Sequence, residues 1–383
     1  MTLRLVILTE LIAPYRIPVF NALSKSTGID LHVIFLAEND PVLRQWLVYK
    51  DEIEFSYQTL PSIRWRLAGQ NILLNRGLYS ALAEIPADVL ICGGYNYIAS
   101  WQARSWAKTH QVPFVLWVES TSDDRRGNRV VIEFLKKKFI SECDAFVVPG
   151  CSSSLYLQHY GVPPIKIFTA PNAVDIERFY EIAIQARSSA RSIRARRGLP
   201  SRYFLFSGRL VPEKGIFDLV DAYESLGPSI REHIGLVFAG DGPSFGKLQR
   251  YTGKLGNVHL VGFLQRDDLA RVMAFATALV LPTHSDTWGL VVNEAMACGL
   301  PVVVSRVAGC AADLVQDGWN GFIVNPRERH NLTDVLARLA GDERLCSRMG
   351  QNSLIRIRDF SPQKCADGLA TAVRAFREGA ACA

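Results

Sequence analysis

Asp286 and Glu294 are two acids eight positions apart in a stretch, Leu279 to Ser305, that is otherwise largely apolar. The stretch reads as strand, turn, helix, turn, strand. Leu279–Leu281 and Val302–Val304 have the continuous hydrophobic character of buried parallel strands. Gly289 to Cys298 predicts a buried helix, capped by Thr287 and ended by Gly299 and Pro301. Asp286 then stands just before the helix and Glu294 inside it, roughly 10 Å apart at ~1.5 Å rise per residue. The helix N-terminus between them offers free N–H groups and partial positive charge, which suit a phosphate. This order of groups matches a sugar joined through a pyrophosphate to a ribose. Asp286 would accept from the sugar, the helix end would hold the phosphates, and Glu294 would accept from the ribose. Read as structure alone, Asp286 is a second cap and Glu294 a surface acid. The neighbours Val291, Val292, Ala295 and Met296 leave Glu294 little polar face, and a buried acid needs a partner.

Two cations fall on another loop. In Phe206 to Gly215, Gly208 permits a tight turn after a strand, and Arg209 and Lys214 follow on one loop edge. A guanidinium fork and a point-charge ammonium together suit a diphosphate. Lys214 by itself reads equally as a surface charge. Gly240, Asp241, Gly242 and Pro243 follow a further strand and, with Gly246, give a loose G-x-G-x-x-x-G spacing. No acid ends the next strand to hold an NAD ribose, so a strand-to-helix turn is expected instead. Gly262 and Phe263 end another strand, where backbone groups can seat a nucleobase. Asp123 and Asp124 lack further ligands at workable spacing and read as solvated loop acids. His284 beside Asp286 is weak evidence alone. Neither a metal site nor a cofactor is expected.

These loops need a scaffold. At 383 residues, 49% hydrophobic and 21% charged, the chain has the make-up of two globular domains. Strand-like runs at Leu3–Leu8, Leu31–Leu36, Ala87–Cys92, Val112–Val118, Ala145–Val148 and Ile167–Thr169 alternate with helical ones. The alternation resumes at Tyr203–Phe206, Leu236–Ala239 and His259–Val261. Two doubly wound parallel α/β sheets are expected, over 1–180 and 181–361, with ligands at the C-terminal ends of their strands. In the first half that edge carries Pro14, Tyr15 and Arg16, a glycine turn leading to Tyr95 and Asn96, and Glu119. Ile53–Leu60 is expected to be extended, and a last helix to run from Gln363 to about Arg377.

From Asp175 to Pro200 the alternation lapses, and Arg187 to Arg202 holds six arginines and no acid. One reading is a solvated helix face beside an inter-domain linker; the other is contact with anionic lipid. Val130–Ile140 sets Lys136, Lys137 and Lys138, with Arg129, beside Val131, Phe134 and Leu135, and is open to the same two readings. A net charge of +6 is too mild to suggest nucleic acid, and no nucleic-acid motif is present. Eight cysteines without a C-x-x-C pair read as reduced cytoplasmic thiols. Neither a secretory leader nor a bilayer-spanning run of ~18 apolar residues is expected.

Several of these pieces together resemble a known family. They are Ser207-Gly208-Arg209 with Lys214-Gly215, Gly240-Asp241-Gly242-Pro243, Val261-Gly262-Phe263, and Asp286 to Glu294 followed by Ala295, Ala297, Cys298-Gly299 and Pro301-Val302. In order and spacing they are similar to the retaining nucleotide-sugar glycosyltransferases of the GT-B fold, the "group 1" family or glycosyltransferase family 4. The N-terminal half is similar only in outline, through Pro14–Pro18 and Pro171–Asp175. The resemblance implies two Rossmann-like domains facing across a cleft, the donor held by the second and the acceptor by the first, with a last helix crossing back. An E-x7-E pair handles the donor in that family. Its second member matches Glu294, on the ribose; its first is Asp286 here, one methylene shorter. The resemblance further implies N–H donation from Gly289, Leu290 and Val291, neutralisation of the leaving pyrophosphate by Arg209 and Lys214, and retention of anomeric configuration. Glu119 is the candidate for orienting acceptor or sugar, a structural role being the alternative. The expected function is transfer from a UDP- or GDP-sugar, without a metal, to a lipid-linked or cell-envelope glycan at the cytoplasmic face of an anionic membrane. A sugar-nucleotide epimerase, a pyridoxal-phosphate phosphorylase and a non-catalytic sugar-binding module are the alternatives.

Overall fold

The computed structural model describes residues 2–41, 44–67, 70–122 and 130–376, so Asp123, Asp124 and Arg129 lie outside the described residues. Strand β1 (Leu3–Thr9) sends Leu5 and Ile7 to one face and Val6 and Leu8 to the other, and all four are buried. A strand apolar on both faces needs a sheet covered on both sides. It is joined by β2 (Ile29–Phe35), β3 (Ser56–Thr59), β6 (Val89–Gly93), β7 (Phe114–Trp117), β8 (Ala145–Val148) and β9 (Ile167–Thr169). The order is β3-β2-β1-β6-β7-β8-β9, every pair parallel. Between β3 and β6 the chain forms an antiparallel hairpin of β4 (Ser62–Leu67) and β5 (Gln70–Asn75). The hairpin was not legible in the sequence, where only an extended Ile53–Leu60 is expected.

The second sheet holds β10 (Tyr203–Ser207), β11 (Gly235–Ala239), β12 (Val258–Gly262), β13 (Ala278–Leu281), β14 (Val302–Ser305) and β15 (Gly321–Val324), in the order β12-β11-β10-β13-β14-β15. It too is parallel throughout. Each sheet winds outward from a central strand, then returns and winds the other way. The reversals fall between β1 and β6, and between β10 and β13, and such switch points are where ligands bind in open α/β sheets.

The chain divides into two units, 1–173 with 362–383, and 174–361. The division falls ahead of the expected 180/181 boundary because helix Ile176–Ser188 buries Phe179, Ala183 and Ala186 in the second core. The supposed lapse from Asp175 to Pro200 is therefore helical, Ile176–Ser188 and Ala190–Arg197, with Asp175 capping the first by accepting from Arg178 N at 3.1 Å. Arg187 and Arg197 tie it into the unit. Arg187 donates to the carbonyls of Ala274 and Cys298 at 3.1 and 2.6 Å, beyond the ends of two helices, and Arg197 pairs with Asp268 at 2.7 Å. In the first unit, helix Pro362–Arg374 covers one face of the sheet with Cys365, Ala366, Leu369, Ala370 and Val373, beside helix Ile17–Ser24. Among the described residues no helix is long and apolar enough to cross a membrane, and the described cysteines are free thiols.

Leu369 is fully buried in that face. Leu369→Ala should therefore cost about 2–5 kcal/mol, read as a lower urea midpoint; a change under ~0.5 kcal/mol would mean the last helix only rests on the surface.

Candidate active site

The site of the second unit begins as backbone. Gly208 N donates to Ala239 O at 3.0 Å, Leu210 N to Asp241 O at 2.9 Å, and Gly240 N to Gly262 O at 2.8 Å. The loops after β10, β11 and β12 are thereby joined into one floor at the C-terminal edge of the sheet. The contact demands glycine at 240, where φ is +151° and a Cβ would lie 1.9 Å from Gly208 O. The Asp241 carboxylate turns back onto Gly242 N at 2.7 Å. Phe263 and Arg209 are exposed beside the floor, and Arg209 has no ion-pair partner among the described residues.

Across the reversal, the loop after β10 meets the loop after β13. His284 N and Thr283 Oγ1 both donate to Glu213 O, at 2.8 and 3.0 Å. That stitching delivers Lys214 Nζ to Asp286 Oδ2 at 2.5 Å, with the two side chains 22% and 15% exposed. The Asp286 carbonyl is fixed by Gly309 N at 3.0 Å. His284 turns away from Asp286 and meets Asp218 at 2.8 Å, fastening helix Ile216–Glu224. Gly289 bends the chain at φ +94°, with no room for a Cβ, which would lie 2.9 Å from Leu281 Cδ2.

The helix then runs Val291–Ala297, with Leu290 at its N-cap and no side-chain cap. Thr287 does not cap it: the bend at Gly289 starts the helix later than expected and leaves Thr287 too far upstream. The N–H groups of Gly289, Leu290 and Val291 donate to no described residue, and Glu294 stands in the first turn. Arg209, Lys214, Asp286 and Glu294 thus follow neighbouring strands at one edge of one sheet. Among the described residues no three His, Cys, Asp or Glu side chains are grouped to hold a metal ion.

At the reversal in the first unit, Arg16 Nη2 donates to Glu119 Oε1 at 2.6 Å, and its guanidinium lies 4.0 Å over the Trp117 ring. The Tyr95 hydroxyl meets Ser120 Oγ at 3.4 Å and the Tyr156 hydroxyl at 3.1 Å. Tyr15 sits edge-on to Trp46, Pro14 is buried, and Asn96 is exposed. The sequence reading brought Arg16 and Glu119 to one edge without showing that they pair. It missed Glu10, Asp40, Arg64 and Tyr97, a second cluster of this unit in which Arg64 meets both acids. Only the place of Glu10, directly after the β1 run, was a signal.

Residues 191–355 match the family described as "Glycosyl transferases group 1", and residues 21–178 match "Glycosyltransferase Family 4". The chain belongs to this family of glycosyltransferases. A D-inositol 3-phosphate glycosyltransferase of Streptomyces bingchenggensis is 32% identical over 239 residues, covering 58% of this chain and 51% of that protein. The chain spans about half the length of the curated relatives it matches. HepE of Anabaena, solved with UDP and glucose, is 17% identical and superposes with a TM-score of 0.74 over 97% of this chain and 100% of its own. Sucrose-phosphate synthase of Thermosynechococcus elongatus gives 0.74 at 18% identity, over 98% and 100%. These likenesses are of fold: two parallel sheets with flanking helices, the GT-B class.

In this group 1 glycosyltransferase Glu294 carries the largest imposed cost among the described acids. Burial pushes its carboxyl up to about 8, opposed only by the charge of Arg266, which the sequence reading did not single out. Its side chain makes no hydrogen bond to a described residue. An acid so placed weakens the fold where it is charged, as expected of a ligand-binding group.

The folded chain holds this proton to about pH 8 while the unfolded chain releases it near 4.5, so its contribution to stability falls as pH rises between those values. Glu294→Gln should melt above the wild type at pH 8 and level with it at pH 4. Equal melting at both would show that the acid is not buried at a cost.

Proposed function

We propose that this chain transfers a sugar from a UDP- or GDP-sugar to a hydroxyl acceptor with retention of configuration, without a metal. The observation that carries the reading is the Lys214–Asp286 pair at the reversal of the second sheet, beside the unused N–H groups of Gly289, Leu290 and Val291. Asp286 gives Oδ2 to the Lys214 ammonium and keeps its other oxygen to accept from a sugar hydroxyl. The N–H groups and Arg209 take the diphosphate, Glu294 accepts from the ribose, and Gly262 and Phe263 border the base. Gly208, Gly240 and Asp241 form the floor beneath, and Thr287 lines the turn. UDP is supported as donor nucleotide by its presence in the HepE structure of the same fold.

In the reaction the bond from sugar C1 to the diphosphate oxygen breaks while a bond from C1 to the acceptor oxygen forms on the same face. The acceptor proton passes to the departing phosphate oxygen. Negative charge grows on the diphosphate, so Arg209, Lys214 and the N–H groups act more strongly in the transition state than on the bound donor. Two cations supply the charge a metal would otherwise bring.

The acceptor edge is that of Pro14, Tyr15, Arg16, Tyr95, Asn96 and Glu119, where the Arg16–Glu119 pair orients acceptor or sugar. Helix Val130–Ser141 exposes Ile132, Phe134 and Leu135 together with Lys137 and Lys138. That apolar and basic composition supports peripheral contact with an anionic membrane at its cytoplasmic face, and a lipid-linked or envelope glycan as acceptor.

The donor is found first, as the UDP- or GDP-sugar that most raises the melting temperature. With it, Arg209→Ala should lower kcat ~100-fold or more, and turnover near wild type removes the phosphate role. Activity should survive EDTA; loss reversed by a divalent cation overturns the metal-free reading. Conversion of donor with no acceptor present would point to an epimerase.

A further inference from the structure

We propose that Glu10 binds the acceptor, taking two adjacent hydroxyls of a neutral pyranoside; this rests on the transferase reading above. Glu10 directly follows β1, at the reversal of the first sheet, where ligands collect. Arg64 Nη1, from the hairpin, reaches Glu10 Oε1 at 3.3 Å, and Tyr97, at the start of helix Ile98–His110, lies close enough for the Glu10 charge to act on its hydroxyl. Arg64 is itself locked by Asp40, whose carboxylate it meets at 2.8 Å and which is 2% exposed. The guanidinium is thus spent mainly on the buried acid. Glu10, 31% exposed, is the accessible end of a triad with two negative charges and one positive. An accessible carboxylate accepts from hydroxyl donors and repels a phosphate.

The surroundings offer what the rest of a sugar needs. Tyr15 and Trp46 meet edge to face with centroids 6.3 Å apart, and Arg44 stacks 5.0 Å over Trp46 while its charge also reaches Tyr97. These rings provide an apolar wall for the CH face of a pyranoside. Arg64 Nη2 and Trp46 Nε1 are buried N–H groups with no acceptor among the described residues. Such groups are few in folded proteins, and sugar oxygens would satisfy them. Glu119 is differently placed. Its Oε1 meets Arg16 at 2.6 Å, and Arg16 has no second acid among the described residues to hold it as Asp40 holds Arg64.

The test is saturation-transfer NMR on the full chain with methyl α-D-glucopyranoside, methyl α-D-mannopyranoside and methyl α-D-galactopyranoside. Glucose 6-phosphate is the anionic comparison. At least one methyl glycoside should bind the wild type, and bind Glu10→Gln at least ~10-fold more weakly, as loss of a charged hydrogen-bond acceptor implies. Glu10→Asp should restore part of that loss, and in turnover the change should fall on acceptor KM rather than kcat. If Glu10→Gln fails to fold, Trp46→Phe gives the second reading and should weaken the same glycoside ~3-fold or more. Equal binding by the folded variant, no glycoside binding to the wild type, or preference for glucose 6-phosphate would each overturn the proposal. UDP-glucose and GDP-mannose binding, measured on the same variants, reports separately on the transferase reading.

Discussion

Lys214 meets Asp286 across the line where the second sheet reverses its winding, and the rest of the site is arranged around that contact. The two residues are 72 positions apart in the chain. They meet because β10 and β13 are neighbours and because Glu213 O is bonded from both Thr283 and His284. Neither charge is well solvated, so removing one leaves the other partly buried without its counter-ion, which costs more than a surface pair is worth. The main-chain bonds bring the loops together and the ion pair secures them just ahead of the turn at Gly289 and the helix that carries Glu294.

The first unit repeats the geometry with other chemistry. Its sheet also reverses beside its first strand, and its polar residues also gather at the reversal. The second unit presents cations, unused N–H groups and one costly acid, which on the proposed reading complement a diphosphate and a ribose. The first presents acids braced by arginines with aromatic rings in the same unit, which on that reading complement hydroxyls and CH faces. One topology used twice gives two edges of different chemistry.

The strands were legible because a parallel strand buried on both faces has to be apolar along its length, as Leu5–Leu8 and Val302–Val304 are. Arg209 and Lys214 were legible because one loop carries both. The hairpin was not, since Arg64 interrupts Ile63 and Trp65 in a strand with only one covered face. The cap at Thr287 failed because the sequence does not reveal how far Gly289 turns the chain before the helix begins. Asp175–Pro200 broke the strand–helix alternation because its apolar residues are few and widely spaced, yet Phe179, Ala183 and Ala186 suffice to seat a helix in the second core. Arg16 with Glu119, and Glu10 with Arg64, are 103 and 54 residues apart, and such pairings come from tertiary structure alone.

The floor that joins the loops after β10, β11 and β12 is made of main-chain bonds and a glycine contact, not of side chains. Arg209 and Phe263 stand on it without holding it together. A substitution at either position can therefore change the surface above the floor while the footing stays unmoved. The scaffold and what stands on it are free to vary separately.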